Sequence, residues 1–281
     1  MSLGRLVSST ASGHALSLDC YWLILPTYNE RENIESIVRA VGRVLEGAVP
    51  NSFKLLIVDD ASPDGTGAVA DALADEFPSL EVLHRPEKEG LGPAYIAGFR
   101  HALAGGASHV IQMDADFSHD PADVARLIAA SGSADLVLGS RYIHGGRVEG
   151  WTLGRRLISR GGCTYAQAIL RSGVRDLTGG FKCFRRVVLE SIEIDSIRSR
   201  GYGFQIEVTY RALAAGFNVV EIPITFRDRE AGKSKMSGRI ALEAACMVPL
   251  LRSRERARTR SAGGGGQAAT TLSGLAPPRE S

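Results

Sequence analysis

Residues 109–130 read HVIQMDADFSHDPADVARLIAA. An apolar run, His109–Met113, stops at Asp114-Ala115-Asp116, and a polar stretch leads to Pro121 and a helical pattern through Ala130. A short apolar run bounded by turn residues suits a buried strand, and proline suits the first turn of a helix. The unit is strand, acidic strand end, helix. It recurs toward the N-terminus. Tyr21–Pro26 is followed by Asn29 and Glu32 at capping-box spacing, then by Ile34, Ile37, Val38, Val41, Val44 and Leu45 at helical spacing. Lys54–Val58 ends in Asp59-Asp60, the turn Ser62-Pro63-Asp64-Gly65, and a helix through Val69, Leu73 and Phe77. Strands at Leu80–His84, Leu136–Leu138 and Asn218–Thr225 and helices at Gly92–Ala104, Leu157–Leu170, Tyr202–Ala215 and Arg239–Leu251 complete the pattern. Such alternation predicts an α/β fold, a mostly parallel sheet with helices on both faces. Its ligands bind beyond the carboxyl ends of the strands, where the acidic clusters lie.

The 281 residues divide into a leader (1–20), one domain (21–251) and a tail (252–281) that is first basic and then low in complexity. A net charge of +2 gives no global reason to expect a nucleic-acid partner. The four cysteines, Cys20, Cys163, Cys183 and Cys246, have no zinc-like spacing and read as free thiols. The leader lacks the apolar core of a secretory signal, and no window of about 18 apolar residues offers a membrane span, so any membrane contact is expected to be peripheral. The five arginines between Arg252 and Arg260 could attach to anionic lipid or simply be solvated.

Asp114 and Asp116, one residue apart at a strand end, can share a hard divalent cation, Mg2+ or Mn2+, that keeps places for phosphate oxygens. Such an ion would stabilise charge on a departing diphosphate. Asp60 suits a ribose hydroxyl or base edge, while Asp64 and Thr66 suit closure of a turn. Tyr28 and Glu30 could meet a nucleobase or serve only to begin a helix. His119 reads as a helix-start residue rather than a ligand. Arg141, Arg155, Arg156, Arg160, Arg227, Arg229, Lys233 and Lys235 supply the cations that joining a nucleotide diphosphate to a phosphate acceptor requires. The glycine-containing loop Arg227–Lys235 suits a lid. Arg155 and Ser159, four apart, share one face if the segment is helical.

Ordered stretches across residues 21–250 resemble one family. They are LPTYNERENI (25–34), IVDDASPDGT (57–66), GLGPAYIAGF (90–99), MDADFSHDP (113–121), GSRY (139–142), GWTLGRRLISRG (150–161), DLTGGFKCFRR (176–186), GYGFQIE (201–207) and EIPITFRDREAGKSKMSG (221–238). The chain resembles the dolichyl-phosphate and polyprenyl-monophosphate mannose synthases of the inverting glycosyltransferase family two, in the short form without transmembrane helices. The resemblance implies the GT-A fold, a Rossmann-like sheet. It implies a GDP-mannose donor, a polyprenyl monophosphate acceptor and a β-linked mannosyl phosphate product. The same chemistry with UDP-glucose, a non-lipid acceptor, or a non-catalytic nucleotide-sugar-binding subunit are the alternatives. By position, Pro26, Tyr28, Glu30, Val58 and Asp60 should hold the nucleoside, and Asp114, Ala115 and Asp116 the sugar nucleotide. Arg141, Arg229 and Lys235 should also contact the donor. Asp116, Arg141 and Arg229 are the implied catalytic residues. Arg155 and Ser159 should receive the acceptor phosphate. The implied metal ligands are Asp114, Asp116 and Ser118, the last standing where some relatives carry glutamine. A peripheral place on the cytoplasmic face of the membrane, and a separate membrane-anchoring protein, are the implied setting.

Overall fold

The computed structural model describes residues 19–197, 199, 201–228 and 246–254. Its strands are β1 (Tyr21–Thr27), β2 (Phe53–Asp59), β3 (Leu80–His84), β4 (His109–Gln112), β5 (Leu136–Ser140), β6 (Arg147–Glu149), β7 (Lys182–Arg185), β8 (Val219–Pro223) and β9 (Thr225–Arg227). Its helices are α1 (Ile34–Ala48), α2 (Thr66–Glu76), α3 (Leu91–Ala104), α4 (Asp123–Ser131), α5 (Leu153–Leu170), α6 (Arg186–Ser191) and α7 (Tyr202–Ala214), and residues 246–254 are also helical. No described helix is long and apolar enough to cross a membrane.

The large sheet runs β3-β2-β1-β4-β7-β5-β8, and β6 pairs with β9 apart from it. All pairings are parallel except those of β7, which is antiparallel to β4 and β5. This is the mixed α/β architecture expected. The side-chain period of a strand decides its layers. Tyr21, Leu23 and Leu25 of β1 enter a core with Ile34, Ile37 and Val41 of α1 and Leu127 of α4. Trp22 and Ile24 enter the opposite core with Tyr95 and Phe99 of α3 and Phe204 of α7. Strand order reverses where β1 meets β4, so a crevice opens at their carboxyl ends. Pro26–Tyr28 and Asp114–Asp116 stand there.

Three expectations are corrected. The capping box at Asn29 and Glu32 does not form. Asn29 takes a left-handed conformation (φ 60°), and α1 starts after Asn33 with the Glu30 carbonyl accepting from the Asn33 and Ile34 amides. Asparagine tolerates that conformation, and a tight turn after β1 demands it. The strand expected at Asn218–Thr225 is two strands, β8 on β5 and β9 on β6, divided at Ile224 just after Pro223, which has no amide hydrogen. Finally, β7 was not foreseen, because Lys182 interrupts its apolar pattern although it is buried. The leader (1–18) and the tail from residue 255 lie outside the described residues; residues 252–254, assigned to the tail, are helical.

Gly98 of α3 faces β1 and β2 so closely that a Cβ would lie 2.8 Å from Ile24 Cγ2 and 3.1 Å from Val58 Cγ2. Both neighbours are fully buried. Gly98→Ala is expected to cost about 1–2 kcal/mol, overpacking outweighing the gain in helix propensity; the urea unfolding midpoint measures it.

Candidate active site

The crevice at the ends of β1 and β4 is a solvent-open cleft with about 530 Å³ of empty space. Pro26, Tyr28, Glu30, Asp60, Asp114, Ala115 and Asp116 line it, as do Thr27, Lys88, Gly90, Leu91 and Ala94. It therefore gathers every expected nucleoside residue except Val58, whose side chain is buried in the core. Sequence reasoning missed Lys88, whose Nζ stands 3.4 Å from the Tyr28 ring centroid. The basic and acidic residues between β3 and Gly90 were the available signal.

Neighbouring carboxylates have different duties. Asp59 accepts from Thr27 Oγ1 (3.0 Å) and from the Ser62 amide (3.1 Å), which closes the turn after β2. Asp64 accepts from the Thr66 amide (3.0 Å) and hydroxyl (2.6 Å), as its turn position predicts. Asp60 is buried, paired with Arg85, and accepts from the Gly90 amide (2.8 Å). That clamp holds the loop before α3 against the cleft. Glu30 accepts from Asn33 Nδ2 (2.9 Å) and its amide donates to Thr66 Oγ1 (3.0 Å), so it serves the helix start while lining the cleft.

The acidic pair is braced from below. Tyr95, fully buried, donates to Asp114 Oδ1 (3.2 Å) and lies parallel to Phe204 with ring centroids 6.0 Å apart. Burial, and then the Asp114 charge, push the Tyr95 phenol well above its usual range, so it remains a donor. Asp116 is buried and accepts from the Ser118 amide (3.0 Å), a bend that puts Phe117 at φ 56°. The Ser118 hydroxyl is buried with no hydrogen-bond partner among the described residues. No group of three or more His, Cys, Asp or Glu among those residues could hold a metal ion. Two carboxylates with a spare hydroxyl nonetheless suit Mg2+ or Mn2+, which take few protein ligands and complete their shell with phosphate oxygens and water.

A second group lies beyond β5. Arg141 is buried, and its Nε and Nη2 donate to the two carboxylate oxygens of Asp176, both at 2.7 Å, while its amide also donates to Asp176 (3.0 Å). Burial works against both charges; Asp176 nevertheless raises the guanidinium, and Arg141 holds the Asp176 carboxyl below the usual carboxylate range. Trp151 lies between two arginines, Arg155 4.1 Å and Arg141 5.6 Å from its ring centroid. Arg155 pairs with Asp228 (2.8 Å), and its buried Nε has no partner among the described residues. Tyr142 donates to Ser159 (2.7 Å). The structure thus groups Arg141 with Arg155 and Ser159, and Arg141 does not line the cleft of the acidic pair. His119 packs against Phe181 and Phe226 and does not start a helix, since α4 begins at Asp123. The Arg227 amide donates to the Ser118 carbonyl (3.0 Å), so the chain passes beside the acidic motif. Arg229, Lys233 and Lys235, and with them most of the loop expected to suit a lid, lie outside the described residues.

Residues 22–193 match the model of Glycosyl transferase family 2. The chain is 49% identical over 225 residues to an undecaprenyl-phosphate mannosyltransferase of Micrococcus luteus, covering 80% of this chain and 90% of that protein. It is 50% identical over 224 residues to a polyprenol monophosphomannose synthase of Mycolicibacterium smegmatis, covering 79% and 83%. Among solved structures, glucosyl-3-phosphoglycerate synthase from Mycobacterium tuberculosis, in complex with Mn2+, UDP-glucose and phosphoglyceric acid, superposes with a TM-score of 0.61 at 20% identity, over 83% of this chain and 79% of that one. That likeness shows the fold.

The buried charges set a pH dependence. Asp176 is lowered in the folded state, so its contribution is present above pH ~4 and is lost as pH falls through its folded value. Asp176→Asn strands the Arg141 charge and is expected to cost about 3–5 kcal/mol. Lys182, whose amine donates to Gln205 Oε1 (2.8 Å), is lowered by burial, against the pull of Asp176, to about 7. Between pH ~7 and ~10 the unfolded chain holds a proton that folded Lys182 lacks, so stability should rise by up to about 1.4 kcal/mol per pH unit. Urea unfolding across that range should show a flatter slope for Lys182→Met.

Proposed function

This chain belongs to glycosyl transferase family 2 and is a glycosyltransferase, and from that premise we propose that it transfers mannose from GDP-mannose to a polyprenyl monophosphate with inversion. The observation that carries the reading is the braced Asp114–Asp116 pair in a cleft also lined by Tyr28, Glu30 and Asp60, with a separate arginine–serine group on α5 suited to an acceptor phosphate. Relatives near 50% identity, named for polyprenol-phosphate mannosyl transfer, supply the sugar and the lipid.

In this reading Tyr28, Glu30, Asp60 and Lys88 bind the nucleoside, and Asp114, Asp116 and the Ser118 hydroxyl hold Mg2+ or Mn2+. The ion would neutralise charge on the leaving diphosphate. The acceptor oxygen attacks the anomeric carbon, the bond to GDP breaks, and the product is the β-mannosyl phosphate. A monophosphate ester is already largely dianionic near neutral pH, with a second pKa of about 6, so no side chain need remove a proton. The residues contribute positioning and charge. Arg155 and Ser159 receive the acceptor phosphate, and Arg141, tied to Asp176, positions Trp151 beneath Arg155. The enzyme works at the cytoplasmic face of a membrane, with Arg229 and Lys235 on the donor and a separate anchoring protein as partner.

Incubation with GDP-mannose, UDP-glucose and UDP-GlcNAc beside a short polyprenyl phosphate, scored by mass, tests this assignment. Mannosyl lipid from GDP-mannose is expected; glucosyl lipid alone would replace the donor. Excess EDTA should abolish transfer, and Asp116→Ala should lower turnover by a factor on the order of a hundred or more. Undiminished transfer in EDTA would refute the metal assignment. Arg155→Ala should raise the apparent KM for polyprenyl phosphate or cut turnover, with GDP-mannose affinity by calorimetry nearly unchanged. Arg155→Lys should rescue only in part, since lysine lacks the bidentate fork.

A further inference from the structure

A second cavity, with about 350 Å³ of empty space, opens between α5 and the segment that follows it. Arg160, Cys163, Thr164 and Gln167 line it from one face of α5, at spacings of three and four, and Tyr142 and Arg175 complete the lining. Local structure fixes Arg175 there. Arg171 ends α5 in a left-handed conformation (φ 55°), and the returning chain is pinned at Arg175 by two side chains. Gln167 Nε2 donates to the Arg175 carbonyl (2.7 Å), and Glu221 accepts from the Arg175 amide (2.8 Å). The acids beside this segment are already committed. The other Glu221 oxygen accepts from the Asp176 amide (2.9 Å), and Asp176 is taken by Arg141. Arg160 and Arg175 are exposed, and neither guanidinium makes a hydrogen bond or an ion pair with another described residue. The other titratable groups of the lining are neutral near pH 7, since burial pushes the Cys163 thiol up to about 11 and raises the Tyr142 phenol. A cavity lined by two guanidiniums and no negative charge focuses positive potential and concentrates anions.

We propose that this cavity is a second phosphate-binding site, in which Arg160 and Arg175 hold a phosphoryl group other than the one assigned to Arg155 and Ser159. Two guanidinium forks match the several acceptor oxygens of a phosphate better than they match a single carboxylate. The site goes beyond the acceptor reading and does not depend on it, because neither Arg155 nor Ser159 lines the cavity. The two sites nonetheless adjoin. The Tyr142 hydroxyl, on the cavity wall, donates to Ser159 (2.7 Å), and Ser159 precedes Arg160 in the helix. Two sources share the chemistry. One is free phosphate or pyrophosphate; the other is the additional phosphoryl group of a polyprenyl diphosphate, whose first phosphate would rest on Ser159.

The test is calorimetric titration of the full chain with inorganic phosphate and with pyrophosphate, in EDTA so that no divalent cation draws either to the acidic cleft. Wild-type protein should bind both. The double variant Arg160→Gln, Arg175→Gln should weaken that binding at least about tenfold, as expected when charge-assisted hydrogen bonds are lost. Arg155→Ala should leave it nearly unchanged. Arg160→Lys with Arg175→Lys keeps both charges and stems, so it controls for folding, and it should restore binding only in part. Short-chain polyprenyl monophosphate and diphosphate then separate the sources. If the wild type prefers the diphosphate and Arg160→Gln, Arg175→Gln erases the preference, the lipid carries the second phosphate. If that variant weakens phosphate and pyrophosphate but binds both lipids as the wild type does, the ligand is free. Equal affinity of wild type and Arg160→Gln, Arg175→Gln for phosphate and pyrophosphate overturns the proposal, as does a wild type that binds neither. Loss of binding in Arg155→Ala alone also overturns it, since the anion then belongs to the acceptor site.

Discussion

The buried pair of Arg141 and Asp176 is the constraint on which the second half of the molecule depends. Two hydrogen bonds from the guanidinium and one from the Arg141 amide tie the end of β5 to the segment that leads into β7. Each charge would be costly to bury alone, and together they accept burial because the fork matches the carboxylate. The segment so anchored runs through Thr178, which also accepts from Arg141 (2.8 Å), into β7 between β4 and β5. Trp151 and Phe226 then pack around the guanidinium, and Arg155 stacks on Trp151. A buried ion pair thus sets where the half-buried Arg155 of α5 stands relative to the sheet.

The first half depends on an aromatic brace. Tyr95, Phe99, Phe184 and Phe204 meet beneath the sheet end, and the Tyr95 hydroxyl reaches up to Asp114. A carboxylate on a loop would ordinarily move with that loop; this one is held by a phenol that its surroundings keep protonated. Asp60 is held as firmly, by Arg85 and the Gly90 amide. The cleft therefore stands on rigid elements at both rims, which electrostatic stabilisation of a departing group requires.

Between these halves the cleft and the α5 group divide the two phosphates of the proposed reaction. The cleft is acidic and suits a divalent cation. The α5 group is basic, with Arg155 half-buried beside Trp151. In the proposed reaction that separation puts the nucleotide sugar and the lipid phosphate on different side chains.

Much of this was legible in the sequence. The apolar runs of β1, β2 and β4, the acids that end them and the helical spacing of α1 fixed the layer order, because strand and helix periodicities are local. That Pro26, Tyr28, Glu30, Asp60 and Asp114–Asp116 share one crevice followed too, since strand ends in such a sheet face it. The antiparallel β7 was not legible: its lysine is buried because Gln205 and Asp176 are brought to it from elsewhere in the chain. Nor was the grouping of Arg141 with Arg155 rather than with the residues that line the cleft. Cations of similar sequence context are told apart only by their partners, and Asp176, Trp151 and Asp228 lie 35, 10 and 73 residues from the arginines they hold. Local pattern determined the elements and their acidic ends; long-range packing of charge against charge and ring decided where each arginine stands.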